Sequence, residues 1–122
     1  MKSSTFEGVF GQVLALLVGL VFLVSGGTKL AAVPAQVQSF ARWGFPEWFM
    51  YGIGLLEVLG AVLLVIPVSR IAGAALLLVV MIGAVATHTV NHEIDAILPP
   101  IVLGCLMTIS ALIAFVRPPR RR

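Results

Sequence analysis

The stretch GIGLLEVLGAVLLVI occupies positions 52–66 of a chain of 122 residues. Fourteen of its fifteen residues suit a hydrocarbon environment, and the exception is Glu57. At 1.5 Å of rise per residue, roughly 20 residues cross a bilayer core of about 30 Å. With its flanks (48–68) the stretch reaches that length, and three others do the same at about 9–29, 71–89 and 97–116. Runs this long, without apolar/polar alternation, are not barrel strands. A helix satisfies its own backbone hydrogen bonds in lipid. The expected fold is therefore all-α: one integral membrane four-helix bundle, followed by a basic tail at 117–122.

Composition points the same way. Charged residues make up 11% of the chain, against about 25% in soluble domains. The first stretch differs from a secretory leader. Its apolar run exceeds the usual 7–15 residues, and Lys29 stands where cleavage would fall. It is read as a retained helix. A single cysteine, Cys105, excludes an intrachain disulfide and any CxxC chemistry, and is expected to pack as a small apolar residue. The sequence pI near 9.8 does not imply nucleic acid, because the cations are not gathered on a binding face. Arg117, Arg120, Arg121 and Arg122 follow directly on a span, which is a topology signal and a contact for anionic lipid headgroups.

Four spans place both termini on one side of the membrane. That side collects Lys2, Arg70 and the arginine tail; the other has Lys29 and Arg42. The positive-inside rule then puts both termini in the cytoplasm of a plasma (inner) membrane. The first connection, 29–47, and the third, 88–94, face outward, and both histidines belong to that half. Within the first connection Pro34 suits a first helical turn. Val37, Phe40 and Ala41 fall on one face, opposite Gln36, Gln38, Ser39 and Arg42. A short interfacial helix is expected, ended by Gly44 and Pro46 and flanked by Trp43 and Trp48 as an aromatic belt.

Residues three, four and seven from Glu57 share its helical face: Met50, Ile53, Gly54, Gly60, Ala61 and Leu64. Small neighbours let another helix approach, whereas Leu55, Leu59, Val62 and Ile66 on the far side suit lipid. Glu57 is expected to face the bundle, where a carboxylate needs a partner, a proton or a water-filled cavity. Lys29, with Ser25 a turn deeper on the same face, and His88 are the available partners. Two readings stand: an ion pair that only holds the bundle together, or the floor of a polar pocket open to the outside. In THTVNHEID (87–95), His88 and His92 are four apart, a half-site spacing for a metal or haem. The same spacing serves a plain polar connection in which Asp95 caps the fourth helix ahead of Pro99 and Pro100. No P-loop, dinucleotide fingerprint, GxSxG or HExxH motif occurs.

These residues resemble the DoxX-like family of small four-helix membrane proteins. The likeness runs from about Val18 to Pro118, through SGGTKL (25–30), FARWGFP (40–46), GLLEVLGAVLL (54–64), SRIAG (69–73) and MIGAVATH (81–88). Lys29, Glu57 and His88 fall inside these blocks. The resemblance implies a membrane subunit of a redox or respiratory system, after the thiosulfate:quinone oxidoreductase subunit from which the family takes its name. Added to the buried polar residues, it leads to an expected pocket of Ser25, Lys29, Glu57 and His88 that binds a quinone-type or other lipophilic ligand. Haem or metal on His88 and His92 is the lesser cofactor expectation. The expected partners are the lipid bilayer and a membrane protein or further copies of the chain, with no nucleic acid. A non-catalytic assembly factor or accessory subunit is the alternative role, as is an oligomeric small-molecule or proton-coupled transporter.

Overall fold

A computed structural model describes residues 2–116, with side chains from residue 8 onward. The expected tail cations Arg117, Arg120, Arg121 and Arg122, and the side chain of Lys2, lie outside the described residues. Five α-helices follow in order: α1 (Lys2–Leu30), α2 (Pro34–Arg42), α3 (Glu47–Val65), α4 (Arg70–Val90) and α5 (Leu98–Val116). The four long ones are all long and apolar enough to cross a membrane. They form an up-down ring in which α1 packs on α3, α3 on α4, α4 on α5, and α5 back on α1. The short α2 lies against α1 and α3 at one end.

The core is a single column of residues: Ala15, Val18 and Phe22 from α1, Ala61 and Leu64 from α3, Leu77 and Met81 from α4, and Met107 from α5. Around it the surface is also apolar, with Leu55, Leu59, Val62 and Ile66 all exposed. Such a molecule gains little from hiding oil from lipid, so close backbone approach and hydrogen bonding must hold it together. Gly73 supplies one approach: a Cβ there would lie 2.8 Å from the Gly60 carbonyl oxygen on α3.

At the end of the bundle away from α2, Pro67 decides the geometry. It has no N–H to return to the Leu63 carbonyl, and it pushes Ile66 into extended backbone. Helix α3 therefore stops at Val65, short of the expected 68, and its last carbonyls need other donors. The Ser69 hydroxyl donates to Leu63 O at 2.9 Å. Arg70 donates through Nε to Leu64 O at 2.9 Å and through Nη2 to Val65 O at 3.2 Å. Gln12 of α1 accepts a further bond from the same guanidinium. Arg70, expected as a loop charge that sets topology, is a buried cap on α3.

Three helix ends at the α2 side close in the same way. At each, the sixth residue's N–H returns to the first residue's carbonyl and the fifth's to the second's, around one residue of positive φ. Helix α1 ends so at Ala32, α2 at Gly44 and α4 at His92, with φ of 52°, 84° and 59°. In α4 the bonds are Glu93 N–H to His88 O, 2.8 Å, and His92 N–H to Thr89 O, 3.2 Å. This corner turns the chain out of the helix before His92. The two histidines therefore do not share a helical face, and His92 is exposed. Asp95 lies inside a 3-10 turn, Ile94–Ala96, ahead of α5.

Candidate functional site

Helices α1 and α3 cross where Gly26 meets Gly54. A Cβ on Gly26 would sit 2.7 Å from the Gly54 carbonyl oxygen, and one on Gly54 would sit 2.9 Å from the Gly26 carbonyl oxygen. No larger residue fits either place without parting the helices. One turn along each helix from this contact stand Lys29 and Glu57, 3.0 Å apart. Both are buried, at 8% and 2% exposure. The tight crossing and the length of the lysine stem bring the two charges together. Ser25 Oγ accepts a second bond from Lys29 at 2.8 Å, and the Thr28 hydroxyl donates back to Ser25 O at 2.7 Å.

The pair forms one wall of a cavity of about 550 Å³ between the helices and beneath α2. Ser25, Lys29, Glu57 and His88 all line it, so the structure brings the four expected residues together. His92 is not among its lining residues. The other walls are aromatic and aliphatic. Phe40 sits 6.1 Å from Phe45 and 6.3 Å from Phe49, centre to centre, and Phe45 and Phe49 are 4.6 Å apart. Phe22 and Met81 come from the long helices.

Helix α2 roofs this space with a different face from the one expected. Gln36, Phe40 and Trp43, spaced four and three, turn inward, and Ala41 turns out. Gln36 is tolerated inside because its amide donates to Thr28 Oγ1 at 3.1 Å. Trp43 turns inward: its ring meets His88 edge-on at 5.3 Å, and its indole N–H donates to Glu93. Trp48 remains exposed. Glu93 also accepts from Arg42 at 3.1 Å and lies 3.8 Å from His88 Nδ1. It thus latches α2 to the end of α4. The Trp43 indole, then the Arg42 guanidinium and His88, hold its carboxyl below the usual range, against partial desolvation. The contact of Trp43 with Glu93 and His88 was not expected from the sequence. The spacing of Gln36, Phe40 and Trp43 was the available signal.

Chemically the site is a lipophilic chamber with one charged wall. Cys105, expected to pack within the bundle, is exposed on a shallow groove between α4 and α5. No group of three or more metal-ligating side chains converges among the described residues.

A sequence profile described as the DoxX-like family matches residues 13–110. The chain belongs to the DoxX-like family. With its four apolar helices, this DoxX-like chain is a multi-pass membrane protein. It is similar to "Uncharacterized protein YdgD" of Bacillus subtilis, at 29% identity over 71% of this chain and 81% of that one. It is also similar to "Putative oxidoreductase CatD" of the same organism, at 28% identity over 61% of this chain and 55% of that one. The DoxX-like chain thus aligns with about half of the second relative's length. No solved structure matches it.

Proposed function

We propose that this protein is a subunit of a membrane redox system, and that the cavity beneath α2 receives a quinone-type ligand. The observation that carries the reading is the Lys29–Glu57 pair, buried in the wall of an aromatic cavity of about 550 Å³. That volume falls within the 300–1,000 Å³ typical of small-molecule sites. A buried ion pair adds little stability over an apolar pair of the same size, so stability alone is a weak reason for one here. The similarity to a protein named as an oxidoreductase supports a redox setting. In this reading the electron-transfer centre belongs to a partner protein in the same membrane.

In this reading both termini are cytoplasmic and the cavity opens toward the outer face of the plasma membrane. The decisive experiment is organic extraction of the protein purified in mild detergent, followed by mass spectrometry. A near-stoichiometric isoprenoid quinone or quinol is expected, and it should be lost from Ala84→Phe, which fills the cavity. Extracts no richer in such compounds than those of an unrelated membrane protein would refute the reading.

A further inference from the structure

Two buried polar atoms of the cavity residues have no hydrogen-bond partner among the described residues: Glu57 Oε2 and His88 Nδ1. They ask for different things. Glu57 gives Oε1 to Lys29 at 3.0 Å, and a paired carboxylate is an acceptor only. Its second oxygen therefore requires a donor. The Lys29 ammonium bonds to Glu57 Oε1 and Ser25 Oγ and makes no bond to Oε2. An imidazole nitrogen donates or accepts according to tautomer, and Glu93 Oε2 at 3.8 Å is beyond hydrogen-bond reach of His88 Nδ1.

These two demands discriminate between the oxidation states of one ligand. A quinone offers carbonyl oxygens, which only accept. Laid against Glu57, such an oxygen sets lone pairs against a carboxylate in a low-dielectric space, where repulsion is strong. A hydroquinone offers hydroxyls, which donate and accept. One hydroxyl satisfies Glu57 Oε2, and a hydroxyl also suits His88 in either tautomer. The phenylalanine-rich wall favours a flat ring in both states and does not choose between them.

Resting on the quinone-type reading of the cavity, we infer that the site selects the reduced, dihydroxy-aromatic form over the quinone, with Glu57 Oε2 as the discriminating acceptor. Glu57 is then a specificity-determining residue, with Oε1 bound to Lys29 and Oε2 left to choose the ligand.

The test is anaerobic titration calorimetry on the full chain in detergent, with durohydroquinone, duroquinone and the dimethyl ether of durohydroquinone. Durohydroquinone should bind about ten-fold or more tightly than the other two, the scale set by one unsatisfied buried acceptor. Glu57→Gln, whose amide can donate to a carbonyl, should close the gap by improving duroquinone. The ether has the ring but no donor, so it tests the inference on the unaltered protein even if Glu57→Gln fails to fold. Duroquinone or the ether binding as tightly as durohydroquinone would overturn the inference and leave the ligand cavity standing. Binding by none of the three would overturn the cavity reading as well.

Discussion

Gly26 and Gly27 are neighbours on α1 with opposite surroundings, and alanine at each tests how the site is assembled. At Gly26 a methyl group would stand 2.7 Å from the Gly54 carbonyl oxygen, 2.8 Å from Val58 Cγ2 and 3.2 Å from Glu57 Cβ, where ordinary contact begins at 3.4 Å. A backbone oxygen cannot swing aside as a side chain does, so α1 and α3 must part by several tenths of an ångström. Overpacking of this kind costs about 1–3 kcal/mol, and it falls on the crossing that holds Lys29 against Glu57. At Gly27 a methyl group meets nothing within 4 Å. There alanine only improves helix propensity and restricts the unfolded chain, for a gain of up to about 1 kcal/mol. Thermal unfolding in one detergent, read by circular dichroism, should show Gly26→Ala below the parent and Gly27→Ala at or above it. Equal midpoints for the two variants would refute the idea that close α1–α3 approach sets the geometry of the pair.

Lys29→Met should cost about 3–5 kcal/mol, because it strands a buried carboxylate, and adding Glu57→Leu should recover most of that; unfolding midpoints in detergent decide, and a double variant no better than the single would count against the pairing. Arg70→Ala should cost about 2 kcal/mol by leaving the Leu64 and Val65 carbonyls without donors. Arg70→Lys should restore less than half of that, since an ammonium lacks the fork, and full rescue in the same melting assay would contradict the cap. For Glu93 the folded pKa lies below its ordinary 4.5, so its contribution is complete above that value and is lost as pH falls through the folded pKa. Hydrogen exchange should therefore find α2 amides protected at pH 5–6 and released in stronger acid, with Glu93→Gln lacking that acid-dependent step. Release already above pH 5, or the same acid step in Glu93→Gln, would break the argument.

The four long helices and the inward face of Glu57 were legible because both depend on local rules. Length against bilayer thickness yields the spans, and a 3.6-residue period puts Met50, Gly54, Glu57, Gly60 and Leu64 on one side. Whether Lys29 reaches Glu57 is a property of two helices at once. Relative depth follows from how closely Gly26 and Gly54 let the backbones cross, and no single-helix pattern encodes it. The roof was harder to read. Polarity groups Phe40 with Val37 and Ala41 and sets Gln36 on the opposite face, whereas Gln36 and Phe40 both line the cavity, and only Thr28 on another helix makes the burial of Gln36 tolerable. His92 and Glu93 depend on a helix corner with positive φ at a histidine, which is uncommon outside glycine and asparagine. Arg70 resembles any basic loop residue until Pro67 is seen to deprive α3 of a donor.

The charges in the cavity wall cancel. Lys29 and Glu57 contribute one positive and one negative unit at 3.0 Å, leaving a dipole with no net charge. A transmembrane potential exerts about 2.3 kcal/mol per 100 mV on each elementary charge carried fully across, and it exerts almost no net force on this pair. The ion pair itself therefore carries no net charge along the membrane field. The same cancellation would bear on any guest: an ionic one would bring an unbalanced charge into a medium of low dielectric, whereas a neutral one would leave the sum at zero.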